Sequence, residues 1–308
     1  MPIIGMLFHP MYMMINTAVV GQMHDPVYLA GLGLGSLTCG IMLISFGTSF
    51  ALVTSSLTGP AFGAGDYRFC RVILNRQLFL NTCVFAVIAV PIAFIPNIYT
   101  AIGQDQEVAK LAAKYVWYVA PGVYFSSQGV ATCDLALSMG YTKARLVSNA
   151  FATFVHAFLI YLFIYQLDWG FEGVCIATSI QFLVRWIGAV SYLTQVTELK
   201  DVDVSFFSSE TFSNIGFQFN LGCMTLLMGI WSWWAFDIFT LICSYLSVEA
   251  ISAQTIMRSL GLFTFMIPVG FNSACKFLIG SNIGRGCIKS ILYYYKMTMT
   301  LSAMLGLA

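Results

Sequence analysis

Long apolar segments separated by short polar connectors run along the whole chain. Each segment holds about 20 or more mostly apolar residues, the length that a helix needs to cross the hydrocarbon core of a membrane. A ninth segment begins near Ile291 and continues to Ala308. The complete segments are Ile3–Met23, Leu29–Thr54, Val72–Phe94, Tyr115–Met139, Leu146–Leu167, Gly173–Val196, Ile215–Leu246 and Ile251–Ile279. This pattern predicts an all-α, polytopic membrane protein with about eight or nine transmembrane helices.

Composition supports a membrane environment. Hydrophobic residues make up 59% of the 308 residues and charged residues only 9%, and the mean hydropathy is +0.83. Soluble domains average about a quarter charged residues, so this chain could not cover a water-facing surface. The formal net charge of +1 and the lack of a long basic run indicate no nucleic-acid partner. The nine cysteines form no C-x-x-C pair, which argues against a metal site.

The pattern Gly-x3-Gly-x-Gly-x2-Arg/Lys occurs twice, 221 residues apart. The copies are Gly59–Arg68 and Gly280–Lys289, and each opens a short basic loop after an apolar segment. We interpret them as tight turns, because they lack the lysine–serine/threonine end of a phosphate-binding loop. They follow segments two and eight, so both lie at the same membrane face. The repeat predicts two similar halves related by an axis along the membrane normal, as in many transporters.

The lysines and arginines predict the orientation of the chain in the membrane. Ten of them lie at or near the connectors after segments two, four, six and eight, and only Lys110 and Lys114 lie on the opposite side. The ten are Arg68, Arg71, Arg76, Lys143, Arg145, Lys200, Lys276, Arg285, Lys289 and Lys296. Because cytoplasmic loops carry an excess of lysine and arginine, we predict that the even-numbered connectors are cytoplasmic.

The longest polar connector, residues 197–214, divides the chain. It carries five of the charges. We predict an N-terminal six-helix lobe over residues 1–196, a cytoplasmic linker over 197–214 and a partial C-terminal lobe over 215–308, which holds helices 7, 8 and the start of 9. A second lobe of six helices would need roughly 120 further residues at ~20 or more per span. We therefore expect the chain to be incomplete at one or both ends.

Three motifs resemble those of the multidrug and toxic compound extrusion (MATE) transporters. Ser55–Asp66 is similar to the family's D-T-L-x-G-Q-A-x-G-A loop, although serine replaces its aspartate and proline its glutamine. Trp233–Asp237 is similar to the E-W-W-x-F-E of helix seven in eukaryotic members, with aspartate for the last glutamate. Ile267–Gly286 resembles I-P-x-G-x-x-x-A-x-x-x-R-V-x-N-x-L-G-A-G, with Leu278 where arginine is usual and Ser281 where asparagine is usual.

The resemblance covers nearly the whole chain, from helix one to the start of helix nine of a twelve-helix family. It favours the eukaryotic branch, because the first segment holds no acidic residue. It implies a two-lobe bundle in the plasma or vacuolar membrane. It also implies secondary active efflux of organic cations or amphipathic compounds in exchange for protons or sodium ions. The expected partners are therefore a small organic substrate and a coupling cation, with no other cofactor, in a monomer or in associating fragments.

Asp237 is the strongest candidate for the coupling and substrate-binding residue. It lies nine residues before the end of segment seven, about 14 Å from the outer end and near the bilayer midplane. A carboxylate that holds either a proton or a cationic substrate gives antiport directly, because the two compete for one charge. Arg258 lies about as far into segment eight, so an Asp237–Arg258 ion pair within the hairpin is the structural alternative. The resemblance at Trp234–Asp237 favours the functional interpretation.

Several other polar and aromatic residues within the segments are candidates for lining a transport pathway. Asn16, Gln254 and Arg258 are expected to seek partners away from lipid, either in a cavity or between helices. Trp234 could offer an aromatic face to an organic cation, together with Trp231 and Trp233. For Asp134 we expect solvation or a cap-like role near the cytoplasmic end. His156 is expected to be a hydrogen-bonded core residue, although it could titrate near neutrality.

Three alternatives remain open. A lipid-linked saccharide flippase of the same superfamily would carry more cationic residues in its cavity. A membrane-embedded enzyme is disfavoured, because the sequence has no H-x-x-x-H, E-x-x-H or G-x-S-x-G motif and no paired intramembrane aspartates. The chain could also be an inactive fragment.

Overall fold

Nine long helical segments form the structure, a computed structural model that describes residues 2–196, 198–202 and 204–307. They are α1 (Pro2–Gly21), α2 (Pro26–Gly63), α3 (Tyr67–Ala101), α4 (Gln106–Ser138), α5 (Lys143–Gln166), α6 (Gly170–Val196), α7 (Ile215–Cys243), α8 (Val248–Gly284) and α9 (Ile288–Leu307). The described residues contain no strand, so the predicted all-α fold is confirmed. By length and composition alone, α1, α2, α3, α5, α6 and α8 could each cross a membrane. The total of eight or nine crossings stays a prediction.

Polar caps set the starts of several helices. The carboxylate of Asp25 accepts a hydrogen bond from the backbone of Val27 at the start of α2, and Asp105 does the same for Val108 at the start of α4. Such caps satisfy backbone N–H groups that have no partner inside the helix. As a result α4 begins at Gln106, about two and a half turns earlier than the start at Tyr115 that the apolar pattern predicted.

Four of the helices contain irregular turns. The helical hydrogen bonding of α1 is interrupted between Leu7 and Met11, next to Pro10. Proline supplies no N–H group for these hydrogen bonds. A 3-10 turn interrupts α3 at Val90–Phe94. The π-helical turns lie at Gly40–Ile44 in α2 and at Tyr161–Gln166 in α5. Single π-helical turns inside α-helices are frequent at functional sites.

The two copies of the glycine motif pack against each other where α2 crosses α8. A Cβ atom added to Gly59 would lie 2.9 Å from the Cα of Gly280, and one added to Gly63 would lie 3.0 Å from the Cα of Gly284. Equivalent positions that face each other are what a contact along a two-fold axis requires. We call this contact the glycine crossing.

The glycine crossing corrects the interpretation of the motif as a loop. Gly59 and Gly63 lie inside α2, which ends at Gly63 and not near Thr54. Only the third glycine of each copy makes a turn, at Gly65 (φ +82°) and Gly286 (φ +71°). The first two glycines of each copy are needed because the backbones of two helices touch there.

The linker between α6 and α7 packs onto the start of α3. The guanidinium of Arg76 donates hydrogen bonds to the carbonyl oxygens of Thr211 and Glu210, at 2.9 and 2.7 Å. Arg68 forms a bidentate ion pair with Glu210, at 3.0 and 2.9 Å. The pKa of Glu210 lies below its ordinary value because Arg68 donates these hydrogen bonds. The end of the bundle that holds this linker and the glycine crossing is called the basic face below.

Candidate functional site

Asp237 and Arg258 form a buried ion pair between α7 and α8. Nη2 of Arg258 lies 2.6 Å from Oδ1 of Asp237, and the two side chains are 8% and 3% exposed. Nη1 of Arg258 also makes a longer hydrogen bond of 3.5 Å to the hydroxyl of Ser36 on α2. Among the described residues, Nε of Arg258 has no hydrogen-bond partner. The pair that the sequence left open as an alternative is therefore present.

The π-helical turn of α2 gives this ion pair its room. A Cβ atom on Gly40 would lie 2.8 Å from Oδ2 of Asp237 and 3.1 Å from Nη2 of Arg258. Any side chain larger than hydrogen would therefore push the pair away from α2. The carbonyl of Gly40 accepts a hydrogen bond of 2.5 Å from the hydroxyl of Ser45. The turn thus brings the α2 backbone against a charged pair without leaving this carbonyl unpaired.

A small cavity of about 40 Å³ borders the ion pair, and we call it the upper cavity. Its wall combines Asp237 and Arg258 with aromatic and apolar side chains. The neighbours include His9, Tyr12, Tyr115, Phe182 and Met266. Because the space is small and largely apolar, it suits a proton or a water-sized group better than an organic substrate.

A larger cavity of about 230 Å³ lies nearer the basic face, and we call it the lower cavity. His9 and Met266 line both cavities, so the two are adjacent. The lower cavity lies among α1, α2, α4, α5, α6, α7 and α8. Its volume lies somewhat below the range of about 300–1,000 Å³ for drug-sized ligands, but its lining has the mixture of apolar and polar side chains expected of a ligand pocket.

Charged side chains from four helices line the lower cavity. They are Asp134 from α4, Arg145 from α5, Arg185 from α6 and Lys276 from α8. Asp134 and Arg145 form an ion pair, with side chains only 9% and 11% exposed. This differs from the solvated or cap-like role expected for Asp134, because α5 places a guanidinium against it inside the bundle.

Arg185 is held by neutral groups. Its Nη1 lies 2.5 Å from Nδ1 of His9, and its Nη2 donates hydrogen bonds to the hydroxyl and the carbonyl of Ser126. The guanidinium also lies over the ring of Phe182, 5.2 Å from its centroid. None of the ion pairs within the described residues includes Arg185.

The other predicted site residues lie apart from the two main cavities. Asn16 donates a hydrogen bond of 2.8 Å to Thr178 and contacts Nε2 of His156 at 3.0 Å. It joins α1 to α5 and α6, and it borders only a void of about 10 Å³. His156 is a buried, hydrogen-bonded core residue, as expected. Asp237 and Arg258 are the predicted residues that the structure brings together.

Trp234 and Gln254 are both half-buried and line neither main cavity. Trp234 packs edge-to-face on Trp231, with ring centroids 6.1 Å apart. The side chain of Trp233, the third predicted aromatic, lies outside the described residues. The roles of Trp234 and Gln254 in a pathway stay predictions.

Sequence reasoning missed the charged residues of the lower cavity. Lys276 was counted with a basic connector, yet it lies eight residues inside α8, about 12 Å from its end at Gly284. Arg185 lies within the apolar segment Gly173–Val196, and no role was predicted for it from the sequence. A lone cation inside a membrane segment is a usable signal, because such charges are rare away from cavities.

Comparison with known proteins places these features in context. The sequence model of the family described as MatE matches residues 2–162, more than half of the chain. The chain is 26% identical over 267 residues to multidrug and toxin extrusion protein 1 of Rattus norvegicus, which covers 85% of this chain and 47% of that protein. It is 22% identical over 307 residues to Protein DETOXIFICATION 18 of Arabidopsis thaliana, which covers 97% of this chain and 63% of that protein.

The fold agrees with a solved structure. The crystal structure of the eukaryotic MATE transporter AtDTX14 matches with a TM-score of 0.88 at 18% sequence identity, over 97% of this chain and 67% of that chain. The chain spans about half the length of the mammalian relative named above.

Proposed function

Because this chain belongs to the MatE family, whose members are transporters and not enzymes, we propose that it takes part in the secondary active export of small amphipathic organic compounds. Export proceeds by alternating access and is coupled to the entry of a cation, for which we propose the proton. The apolar helices and the family make it a multi-pass membrane protein. The plasma or vacuolar membrane, and cytoplasmic even-numbered connectors, are part of the proposal.

The buried Asp237–Arg258 pair carries this proposal. A proton on Asp237 would remove the negative charge and leave the guanidinium of Arg258 uncompensated in a space of low dielectric constant. The pair joins α7 to α8 and lies against the π-helical turn of α2. Its protonation therefore changes the relative stability of arrangements that differ in how these three helices pack, which is the requirement for a coupled conformational switch.

The glycine crossing supplies the second element of the mechanism. Contact between α2 and α8 brings the two copies of the repeat together at the basic face. In an alternating-access cycle, one bundle rocks against the other around a fixed site. We propose that separation at this crossing opens the lower cavity toward the basic face, while contact closes it.

The test is transport by the full chain in proteoliposomes with an imposed pH gradient. Two probes share one aromatic body and differ in charge: 1-naphthalenesulfonate and 1-naphthyltrimethylammonium. Gradient-driven uptake of at least one probe is expected for the unmodified chain and for Glu249→Gln, which changes an exposed carboxylate at the start of α8. Asp237→Asn is expected to abolish the dependence of uptake on the gradient. Coupled uptake by Asp237→Asn would contradict the proposal.

A lipid-linked saccharide flippase is the second candidate, and one observation favours it. Such a protein would need cationic groups for a phosphate, and Arg145, Arg185 and Lys276 line the lower cavity. The test is the transfer of a short-chain fluorescent polyprenyl phosphate between leaflets of proteoliposomes. Transfer without uptake of either naphthalene probe would favour the flippase over the exporter.

A further inference from the structure

The lower cavity carries an excess of positive charge. Three cationic side chains and one carboxylate line it, and that carboxylate is already paired with Arg145. Arg185 and Lys276 remain, and the ion pairs found among the described residues include neither of them. The lining formed by the described residues is therefore cationic.

Water does not solvate the charge of Arg185, because this residue is only 3% exposed. Its partners His9 and Ser126 are neutral acceptors, and they orient the guanidinium without compensating it. A buried cation without a counter-ion is strongly unfavourable, and such residues in membrane segments mark ligand or ion pathways. The arrangement holds a planar donor group in place for an anion.

Lys276 and Arg145 add further donors on the facing walls. None of the ion pairs found among the described residues includes Lys276, although the carboxylate of Asp134 attracts it from a longer distance. Nε of Arg145 is buried and also has no partner within the described residues. Donors from α5, α6 and α8 thus converge on one space from different helices.

The remaining wall combines apolar side chains with the polar Thr48, Asn149, Asn272 and Ser273. Leu52, Val130, Phe265, Met266 and Val269 line the same space. Methionine and aromatic side chains adapt to apolar bodies of varied shape. A ligand that fits this lining has an apolar body and an anionic group.

We propose that the lower cavity binds amphipathic organic anions, with Arg185 and Lys276 as the residues that recognise a carboxylate, sulfonate or phosphate group. This names the substrate class of the exporter and rests on the proposed function. It replaces the organic cations that the sequence resemblance implied. The physical reason is that a cationic ligand would enter a space whose described charges repel it.

The test is equilibrium binding to the purified full chain, which needs neither an ion gradient nor a working cycle. The probes are 1-naphthalenesulfonate and 1-naphthyltrimethylammonium, with farnesyl phosphate as a lipid-like anion. We expect the sulfonate to bind at least about tenfold more tightly than the ammonium compound. Lys276→Gln should weaken sulfonate binding about tenfold or more, the value of one charge-assisted hydrogen bond. Lys110→Gln, which changes a lysine 70% exposed at the opposite face, is the matched control and should bind normally.

Tighter binding of farnesyl phosphate than of the sulfonate would support the proposal with a lipid-linked anion as ligand. Preference for the ammonium compound, or unchanged sulfonate binding by Lys276→Gln, would overturn it. None of the hydrogen bonds or ion pairs found among the described residues includes Lys276, so Lys276→Gln leaves no such partner unpaired and should fold. A chain that binds the sulfonate but does not transport it would contradict the proposed function and leave the anion site standing. Coupled transport of the ammonium compound would support the proposed function and contradict the anion site.

Discussion

At the scale of single residues, Asp237 and Arg258 hold each other in a site that would be unfavourable for either alone. Removing an ion from water costs several kcal/mol even after relaxation, and a close partner offsets this cost only with good geometry. The 2.6 Å contact provides that geometry. The pair therefore stabilises α7 against α8 in one protonation state, and its stability depends on both partners remaining charged.

A double-mutant cycle separates bracing from coupling. Asp237→Asn alone leaves Arg258 buried without a counter-ion and should lower the free energy of unfolding by about 3–5 kcal/mol. Asp237→Asn combined with Arg258→Gln removes both charges and should recover most of this loss. Thermal unfolding in detergent measures both effects.

The double variant decides the role of the pair. If the pair couples transport, the double variant should be folded but insensitive to the pH gradient. A stable double variant whose transport is still driven by the pH gradient would mean that the pair is only a brace. Glu249→Gln changes one exposed charge in α8, the helix that also holds Arg258, and serves as the control.

At the scale of helices, the crossing of α2 and α8 depends on backbone contact. A Cβ atom on Gly63 would lie 2.1 Å from the carbonyl oxygen of Ser281, and one on Gly284 would lie 2.1 Å from the carbonyl oxygen of Pro60. Neither carbonyl belongs to a flexible side chain, so the helices themselves would have to move apart.

Gly63→Ala should therefore destabilise the protein by about 1–3 kcal/mol, the usual range for overpacking. Gly280→Ala should cost less, because its Cβ would meet the Cα of Gly59 at 3.1 Å. Gly216→Ala in α7 is the control, because nothing lies within 4 Å of its Cβ position, and alanine favours helices. The thermal midpoints should rank Gly63→Ala lowest and Gly216→Ala highest. Equal midpoints for the three variants would contradict the close contact.

The linker offers a prediction about pH. Arg68 holds the pKa of Glu210 below its ordinary value of about 4.3. The stabilisation from this pair is therefore present above pH ~4.3 and is lost as the pH falls through the lower pKa of the folded state. Because both side chains are about half exposed or more, at 63% and 48%, the effect is small and screened by salt.

A spin label at Ser209→Cys reports the linker's mobility. With the exposed Cys83 and Cys287 replaced by serine, its mobility should rise between pH 6 and pH 3.5. In Arg68→Gln the mobility should be raised at both pH values. If the mobility of the label is independent of pH both with Arg68 and in Arg68→Gln, the linker is held by Arg76 alone.

At the scale of the whole molecule, the alternation of connectors determines which face each loop occupies. Cys287 is exposed in the connector between α8 and α9, and Ser247 is exposed in the connector between α7 and α8. One helix separates these connectors, so they lie on opposite sides of the bundle.

Labelling with a membrane-impermeant maleimide tests the proposed orientation. In cells that carry the chain in the plasma membrane, with its other cysteines replaced, Cys287 should react only after the cells are permeabilised. A Ser247→Cys variant without Cys287 should react in intact cells. The reverse result would invert the orientation, and equal reactivity would contradict the membrane crossing by α8.

The sequence by itself determined the features that depend on neighbouring residues and on the solvent. Apolar runs of membrane length predicted the helices, because backbone groups in lipid must pair within their own segment. The spacing of the repeat placed its two copies on one face. The positions of Asp237 and Arg258 in one hairpin were enough to offer their ion pair as an alternative, while the likeness at the Trp233–Asp237 motif favoured the coupling role instead.

Only the tertiary structure decided which distant residues share a space. The Asp134–Arg145 pair, the isolation of Arg185 and the inward position of Lys276 depend on how α4, α5, α6 and α8 pack. The contact between the two glycine motifs likewise joins positions 221 residues apart. Hydrophobicity along a segment indicates that a helix will be buried in lipid or protein. It does not indicate which face of the helix contacts which neighbour. The charge of the cavity, and with it the class of ligand that we propose, follows from that packing.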